Sequence, residues 1–486
     1  MKILIASPEI VPFAKTGGLA DVTGALSKAL ERLWEDVTVI MPKYQVIDDN
    51  KFGLEYIGKK VSVPISNRVE EAKIYRGYIN NKIPVYFIDR MKYYDRPYLY
   101  STPQGDYPDN AERFIYFSRA IIETCKAIGL KPDVIHCNDW QTGMVPVYLK
   151  TLYNNDSVFN NTATVFTVHN LGYQGLFWHL DMHLTNLGWD IFNPEGIEFY
   201  GKINILKGGL VYSDIITTVS RTYSLEIQTE EYGHGLDGVL RKRRNDLYGI
   251  INGIDYDEWN PATDKYIAVK YSNGNLSGKW ECKKDLLQTY GIQPIKKIPV
   301  IAVISRLADQ KGFDLIAEII DDLMRLELQF VLLGTGTEKY HKIFKDIGKK
   351  YPSKTGIKIG FDNVLAHKIE AGADMFLMPS RYEPCGLNQL YSLKYGTIPI
   401  VRSTGGLNDT IEDYDPVKRT GNGFKFIEYS PKALFATIEK AIGIYNDDLR
   451  WNRLMADAMT KDFSWTNSAR EYIELYKKAG KKRTKT

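Results

Sequence analysis

The sequence predicts an α/β fold of two doubly wound domains. Three observations lead there. Short runs rich in β-branched residues alternate with helix-like stretches, and such alternation builds parallel sheets covered on both faces. The alternation occurs once in each half of a chain of 486 residues, which is too long for one ordinary core. A Thr-Gly-Gly-Leu turn also follows an apolar run in both halves, as "KTGGLAD" at 15–21 and "STGGLND" at 403–409.

In the first half the expected strands are "KILIA", "DVTVIMP", "IPVYFID", "DVIHCND", "ATVFTVHN" and "DIITTVS". In the second they are "IPVIAVIS", "QFVLLGTG", "IKIGF", "DMFLMPS" and "TIPIVRS". Stretches such as "LADVTGALSKALERL" and "FDLIAEIIDDLMRL" repeat apolar residues at helical spacing between them. Gly, Asn, Asp and Pro cluster in "YGIINGIDYDEWNPATD", as at a linker. The domains are therefore expected at 1–250 and 251–463. The last helical pattern carries Trp465, Tyr472 and Tyr476 on one side, so a helix over 464–486 is expected to pack back on the first domain. No repeat of solenoid length is present.

Composition narrows the function classes. Hydrophobic residues make up 44% and charged residues 25%, the balance of a soluble globular protein. Net charge is 63 − 59 = +4, and the last ten residues supply six of the cations. The body is thus near neutral, which argues against a basic groove for nucleic acid. No apolar run reaches bilayer-spanning length, so no membrane partner is expected. Cysteines stand at 125, 137, 282 and 385 without paired spacing, which suggests a reducing compartment. "MKILIASPEI" reads as a buried strand rather than a signal peptide. A cytoplasmic protein is expected, or a plastid one if a targeting segment was removed.

Ligands of open parallel sheets sit at the carboxyl ends of the strands, where both glycine turns fall. Gly17-Gly18 and Gly405-Gly406 are expected to allow positive φ and close backbone approach. Helices beginning at Leu19 and Leu407 would aim their positive ends at an anion. The plainer alternative is two ordinary strand–helix turns. In "SRLADQKGFDL", Arg306 and Lys311 lie five residues apart after a strand. A planar fork and a point charge together suit a diphosphate; two solvated surface cations are the alternative. In "PSRYEPCGLNQL", Glu383 precedes a helix expected to start at Pro384 or Gly386. Its carboxylate is placed to meet a sugar hydroxyl, with the amides of Gly386, Leu387 and Asn388 beside it. A glutamate that only complements the helix dipole is the alternative.

Other chemistries fit less well. "GTGTEK" puts Lys339 where a dinucleotide fingerprint needs its third glycine, and the Walker pattern is absent. His179 and His183 in "HLDMH" have zinc-like spacing, but no third ligand follows with a clear pattern.

Together, "KTGGLADV", "SRLADQKG", "EPCGLNQL" and "STGGLND", in this order and spacing, resemble the bacterial and plant glycogen/starch synthases. "YYDRP", "HCNDW", "TVHNLGYQG", "GLDG" and "INGID" match further family stretches, and the resemblance runs from Lys2 through Tyr476. It implies a GT-B architecture, two Rossmann-like domains facing across a cleft that closes on substrate. It implies retaining transfer of glucose from ADP-glucose to the 4-hydroxyl at the non-reducing end of an α-1,4-glucan, with no metal or other cofactor. By position, Lys15 would approach the donor diphosphate and Gly18 would lend an amide. Arg306 and Lys311 would neutralise the leaving diphosphate, and Glu383 would contact the donor glucose. Asp139 and His169 would sit near the reacting carbon. Asp21 and Asn170 would lie near the donor phosphate and sugar. Tyr94 and Asn252 would line the donor site, together with Cys385, Gly386, Leu387 and Asn388. Phe361 takes the place of a family tyrosine that stacks on adenine; its ring can still stack.

Two positions depart from the wider pattern. Tyr391 stands where the superfamily often has a second glutamate, and Asn138 where bacterial members often have histidine. The aromatic stretch 92–100 is read either as acceptor surface or as packing. A UDP-glucose user, a sucrose-type or granule-bound synthase, and a glucan-binding protein without activity are the competing functions. Oligomeric state is not legible.

Overall fold

A computed structural model describes residues 1–102 and 104–483. The chain divides into two compact units, Met1–Gly253 with the segment from Trp465 onward, and Ile254–Ser464. The divisions lie three residues beyond the expected boundary at 250 and one beyond that at 463.

The first unit is built on a nine-stranded sheet. Its strands are β1 (Lys2–Ala6), β2 (Asp36–Pro42), β3 (Glu55–Ile65), β4 (Arg68–Ile79), β5 (Ile83–Asp89), β6 (Val134–Asn138), β7 (Ala163–Val168), β8 (Ile215–Thr218) and β9 (Leu247–Gly249). The order across the sheet is 9-8-7-6-1-2-5-4-3. Strands β1, β2 and β5 to β9 pair in parallel. Their apolar runs are buried on both faces, as helices on each side require.

The edge corrects the expectation of a wholly parallel sheet, because β3, β4 and β5 pair antiparallel. In β3 and β4 buried residues are interspersed singly with exposed ones, so neither shows a continuous apolar run to be read. Asn80 and Asn81 have φ of 51° and 57°, a left-handed pair within the three-residue turn 80–82 that joins β4 to β5.

Helix α1 (Gly18–Arg32) follows β1, and α2 (Asn110–Ile128) precedes β6. The C-terminal helix Trp465–Arg483 packs on the same unit; residues 484–486 of the expected helix lie outside the described residues. Tyr476 and Tyr472 are buried there. The Tyr476 hydroxyl lies 2.8 Å from His136 Nδ1, and the other ring nitrogen of His136 is 2.6 Å from Thr167 Oγ1. Burial pushes the His136 pKa down to about 3, so this internal strut is neutral.

The second unit holds a six-stranded sheet, parallel throughout. Its strands are β10 (Val300–Ile304), β11 (Gln329–Gly334), β12 (Thr355–Ile359), β13 (Met375–Met378), β14 (Ile398–Arg402) and β15 (Phe424–Phe426), in the order 12-11-10-13-14-15. All five expected runs are strands here. Helix α3 (Phe313–Leu323) lays Ile316, Ile319, Ile320 and Leu323 against the sheet. Each such side chain contributes roughly 1.5–3 kcal/mol by leaving water. Helices α4 (Asn388–Tyr395) and α5 (Gly405–Thr410) follow β13 and β14. The carboxyl ends of β10, β13 and β14 therefore carry 305–311, 379–388 and 403–409.

Candidate active site

A pocket opens at the carboxyl ends of β10 and β13. Ser305, Arg306, Lys311, Ser380, Glu383 and Asn388 are among its lining residues, with Gly386 and Leu387. The structure thus brings together the two cations, the carboxylate and the following turn that the sequence singles out. Lys311 Nζ lies 2.6 Å from Glu383 Oε2, and Ser380 Oγ donates to the same oxygen at 3.0 Å. Glu383 is only 5% exposed, so its charge needs these partners. The Arg306 guanidinium is exposed and donates to Gln310 Oε1 at 2.9 Å. Asn388 Nδ2 donates to the Ile304 carbonyl at 2.7 Å, tying the start of α4 to the end of β10.

Helix α4 starts at Asn388, later than expected at Pro384 or Gly386. Gly386 has φ of 73°, a left-handed conformation that cannot belong to a right-handed helix. Residues 383–387 therefore form a turn. Cys385 is buried in it. Phe361, just beyond β12, is 83% exposed, leaving its ring available for stacking.

The second glycine turn corrects a sequence expectation. A Cβ on Gly405 would stand 1.9 Å from the Glu383 carbonyl oxygen, and one on Gly406 would stand 2.1 Å from that of Cys385. The Gly406 amide donates to the Glu383 and Pro384 carbonyls at 3.1 and 3.2 Å. That amide is spent on the protein, and α5 begins at Gly405 rather than Leu407. The turn buttresses the glutamate segment from behind.

In the first unit the carboxyl ends of β1, β6 and β7 gather a second set of groups. Asp139 follows β6 with φ of 56°, an unfavourable conformation for a residue with a Cβ, costing on the order of 1–3 kcal/mol. Its Oδ1 accepts from the His169 amide at 2.7 Å. Burial pushes its carboxyl up to about 7, against amide bonds from His169 and Asn170 and with the nearby Glu9 adding to the rise. Burial holds the His169 ring down to about 3, so the imidazole is neutral.

Asn138 explains the ring's orientation. Its Nδ2 donates to the Ala6 carbonyl at 3.1 Å, which turns Oδ1 toward His169 Nε2 at 2.9 Å. His169 Nε2 must then carry the proton and Nδ1 the lone pair. In the sequence Asn138 is legible only as a departure from a pattern.

Other expected residues fall in varied places. Lys15 Nζ is paired with Asp21 at 2.8 Å. Burial raises the Asp21 carboxyl, and the Lys15 charge opposes it. Gly18 begins α1, one residue before the expected start, and Gly17 is extended at φ −154° rather than left-handed. Asn170 Oδ1 accepts from the Gly172 amide at 3.0 Å in a local turn. Asn252 is 5% exposed and its Oδ1 has no protein hydrogen bond, an acceptor that a bound hydroxyl or water would satisfy.

Tyr94 is a correction. It is fully buried, packs edge-on to Tyr44, and donates to the Arg113 carbonyl at 3.2 Å. It belongs to the core of the first unit. Tyr93 is fully buried as well, whereas Tyr98 is 48% exposed, so the aromatic stretch 92–100 divides between packing and surface.

Glu9 was not among the expected residues. It is 4% exposed and sits just past β1. Its carboxylate accepts from the Thr16 amide and, at 2.9 Å, from the Thr16 hydroxyl. Burial pushes it up to about 7, the Thr16 bonds oppose this, and Asp21 adds to it. A single acid after an apolar run gave no signal of this fold-back. Among the described residues, no three His, Cys, Asp or Glu gather as a metal-binding group, and no helix is long and apolar enough to cross a membrane.

Comparison with known proteins agrees with this geometry. Residues 2–242 match the family model described as starch synthase catalytic domain, and 291–453 match glycosyl transferases group 1. The chain is 50% identical over 481 residues to a glycogen synthase of Koribacter versatilis, covering 99% of this chain and 98% of that one. It is 50% identical to that of Thermosipho melanesiensis, covering 99% and 100%. The catalytic domain of starch synthase IV from Arabidopsis thaliana, solved with ADP and acarbose, superposes with a TM-score of 0.92 at 35% identity over 99% of both chains. Sucrose-phosphate synthase from Thermosynechococcus elongatus shares the fold at a TM-score of 0.61 and 14% identity. The chain belongs to the glycogen and starch synthase family, and it is a glucosyltransferase of GT-B fold.

Proposed function

We propose that this enzyme transfers glucose from ADP-glucose to the 4-hydroxyl at the non-reducing end of an α-1,4-glucan, with retention at the anomeric carbon. The observation that carries the reading is the pocket of the second unit, where Arg306 and Lys311 stand at the strand ends beside the buried Glu383. Breaking the sugar–phosphate bond puts negative charge on the departing diphosphate. Two fixed cations answer that charge as it grows, without reorganising solvent. In this reading they serve in place of a metal, and no cofactor takes part.

Glu383 is oriented by Lys311 and Ser380, and its carboxylate accepts a hydroxyl of the donor glucose. The exposed ring of Phe361 stacks on the adenine. Gly386, Leu387 and Asn388 line the donor's path, and Cys385 packs behind them. In the first unit, Lys15 is a further cation for donor phosphate and Asn252 offers its unsatisfied Oδ1 to the donor. Neutral His169, its proton fixed on Nε2, and Asp139 attend the sugar. The acceptor hydroxyl attacks on the face the diphosphate leaves, and the diphosphate takes its proton. Retention then follows without a covalent glucosyl intermediate.

ADP bound to the Arabidopsis relative supports the adenine donor, and its acarbose supports a glucan acceptor. A cytoplasmic setting fits the spacing of the four cysteines. The test is incorporation of labelled glucose into glycogen and short maltooligosaccharides from ADP- and UDP-glucose in parallel. Transfer from ADP-glucose at least about tenfold faster, a difference near 1.4 kcal/mol, is expected. Equal or faster transfer from UDP-glucose would reassign the donor.

A further inference from the structure

We infer that Glu9 is a positioning residue for Lys15: its carboxylate takes the place of an anion on the Thr16 amide of the Lys15–Thr16–Gly17 turn. This inference rests on the proposed role of Lys15. A glycine turn opening a helix ordinarily reads as a phosphate cradle made of backbone amides. Here the cradle is filled from within. The Thr16 amide and hydroxyl both donate to Glu9 Oε2. A donor phosphate seeking the Thr16 amide would have to displace a buried carboxylate already bonded to it. What the turn offers a ligand is the Lys15 ammonium.

Glu9 is itself held from two sides. Ser7 Oγ donates to its carbonyl at 2.6 Å, and Thr23 Oγ1 from α1 donates to the same oxygen at 3.0 Å. Between Glu9 and Lys15 the chain closes a tight loop in which Ile10 and Ala14 exchange backbone hydrogen bonds of 3.0 Å. Thr16 is exposed, and the Lys15 side chain is 44% exposed. An exposed lysine on a loop has little reason to keep one position. The grip of Glu9 on the next residue and the 2.8 Å pair with Asp21 supply it. Fixing a charged group before the reaction is where electrostatic stabilisation draws its strength, and groups that act through one another lose function non-additively.

The experiment is a pair of double-mutant cycles on glucosyl transfer, with kcat and KM measured separately and melting curves confirming the fold. The variants are Lys15→Ala, Glu9→Ala, Thr16→Val and the two doubles with Lys15→Ala. Lys15→Ala is expected to lower kcat about a hundredfold, Glu9→Ala about tenfold and Thr16→Val about threefold. Glu9→Gln keeps an acceptor for Thr16 and should recover most of the Glu9→Ala loss. In the Lys15→Ala background neither Glu9→Ala nor Thr16→Val should cost more than about twofold. Thr16→Val removes one exposed hydroxyl, so it reports even if Glu9→Ala fails to fold. Losses as large with Lys15 absent as with it present would overturn the inference while leaving the role of Lys15 intact. So would an unchanged kcat in Glu9→Ala and Thr16→Val. Full activity in Lys15→Ala would instead sink the reading of Lys15 and the inference with it.

Discussion

The two Thr-Gly-Gly-Leu turns are identical at five of seven positions, yet they need their glycines for different reasons. Around Gly17 nothing lies within 4 Å of where a Cβ would stand, and the backbone there is extended. Gly405 has φ of 45°, and a Cβ would meet the Glu383 carbonyl oxygen at 1.9 Å. The first turn presents a side chain on an open surface. The second is pressed into the backbone that carries the site glutamate. One motif thus serves presentation in one unit and support in the other, and only the neighbours of each copy distinguish them.

The strongest way to break this comparison is to give each turn a methyl group. Gly405→Ala should destabilise the protein by roughly 3 kcal/mol, since it strains φ and collides with backbone that cannot step aside. It should lose transfer activity as well, because the collision moves Glu383. Urea unfolding and an incorporation assay read both, and a variant as stable and active as the wild type would show that the turn supports nothing. Glu383→Ala probes what that support is for. It should lower kcat on the order of a hundredfold or more and leave Lys311 without its carboxylate, costing about 1–3 kcal/mol of stability. Unaltered kcat would remove Glu383 from the reaction.

The first turn is sharpened by pH. Glu9 keeps its proton to about 7 in the fold and to its ordinary value of 4.5 outside it, mainly through burial. Between those values the folded state holds the extra proton, so stability falls as pH rises from about 4.5 to about 7. Glu9→Gln should flatten that fall in unfolding measurements across the window; an undiminished slope would place the proton elsewhere, with Asp139 the next group to test. The smallest effect is expected at Gly17→Ala, within about 0.5 kcal/mol of wild type. A large loss there would mean the turn is crowded after all, and the contrast with Gly405 would disappear.

Strands buried on both faces were legible because their apolar runs are unbroken. The hairpin β3–β4 was not, because buried and exposed residues are mixed along it. The cations and Glu383 were legible because charged groups after a strand mark a ligand site in a parallel sheet. Tyr94 was misplaced because a motif match carries no burial: its ring is surrounded by Tyr44, Tyr93 and Arg113. Glu9 was missed, and Asn138 was legible only as a departure, because their meaning lies in contacts with Thr16 and His169, residues on other segments of the chain.

By itself the sequence determined the unbroken apolar strands of each unit and which charged groups stand at their ends, because both follow from local periodicity and spacing. Tertiary structure alone decided which of those groups meet. It set Lys311 on Glu383, turned the His169 proton toward Asn138, filled the first glycine turn with Glu9 and wedged the second behind the glutamate. The reason is that hydrogen bonds and burial depend on distance in space, and residues far apart in the chain come within reach only once the sheets have formed.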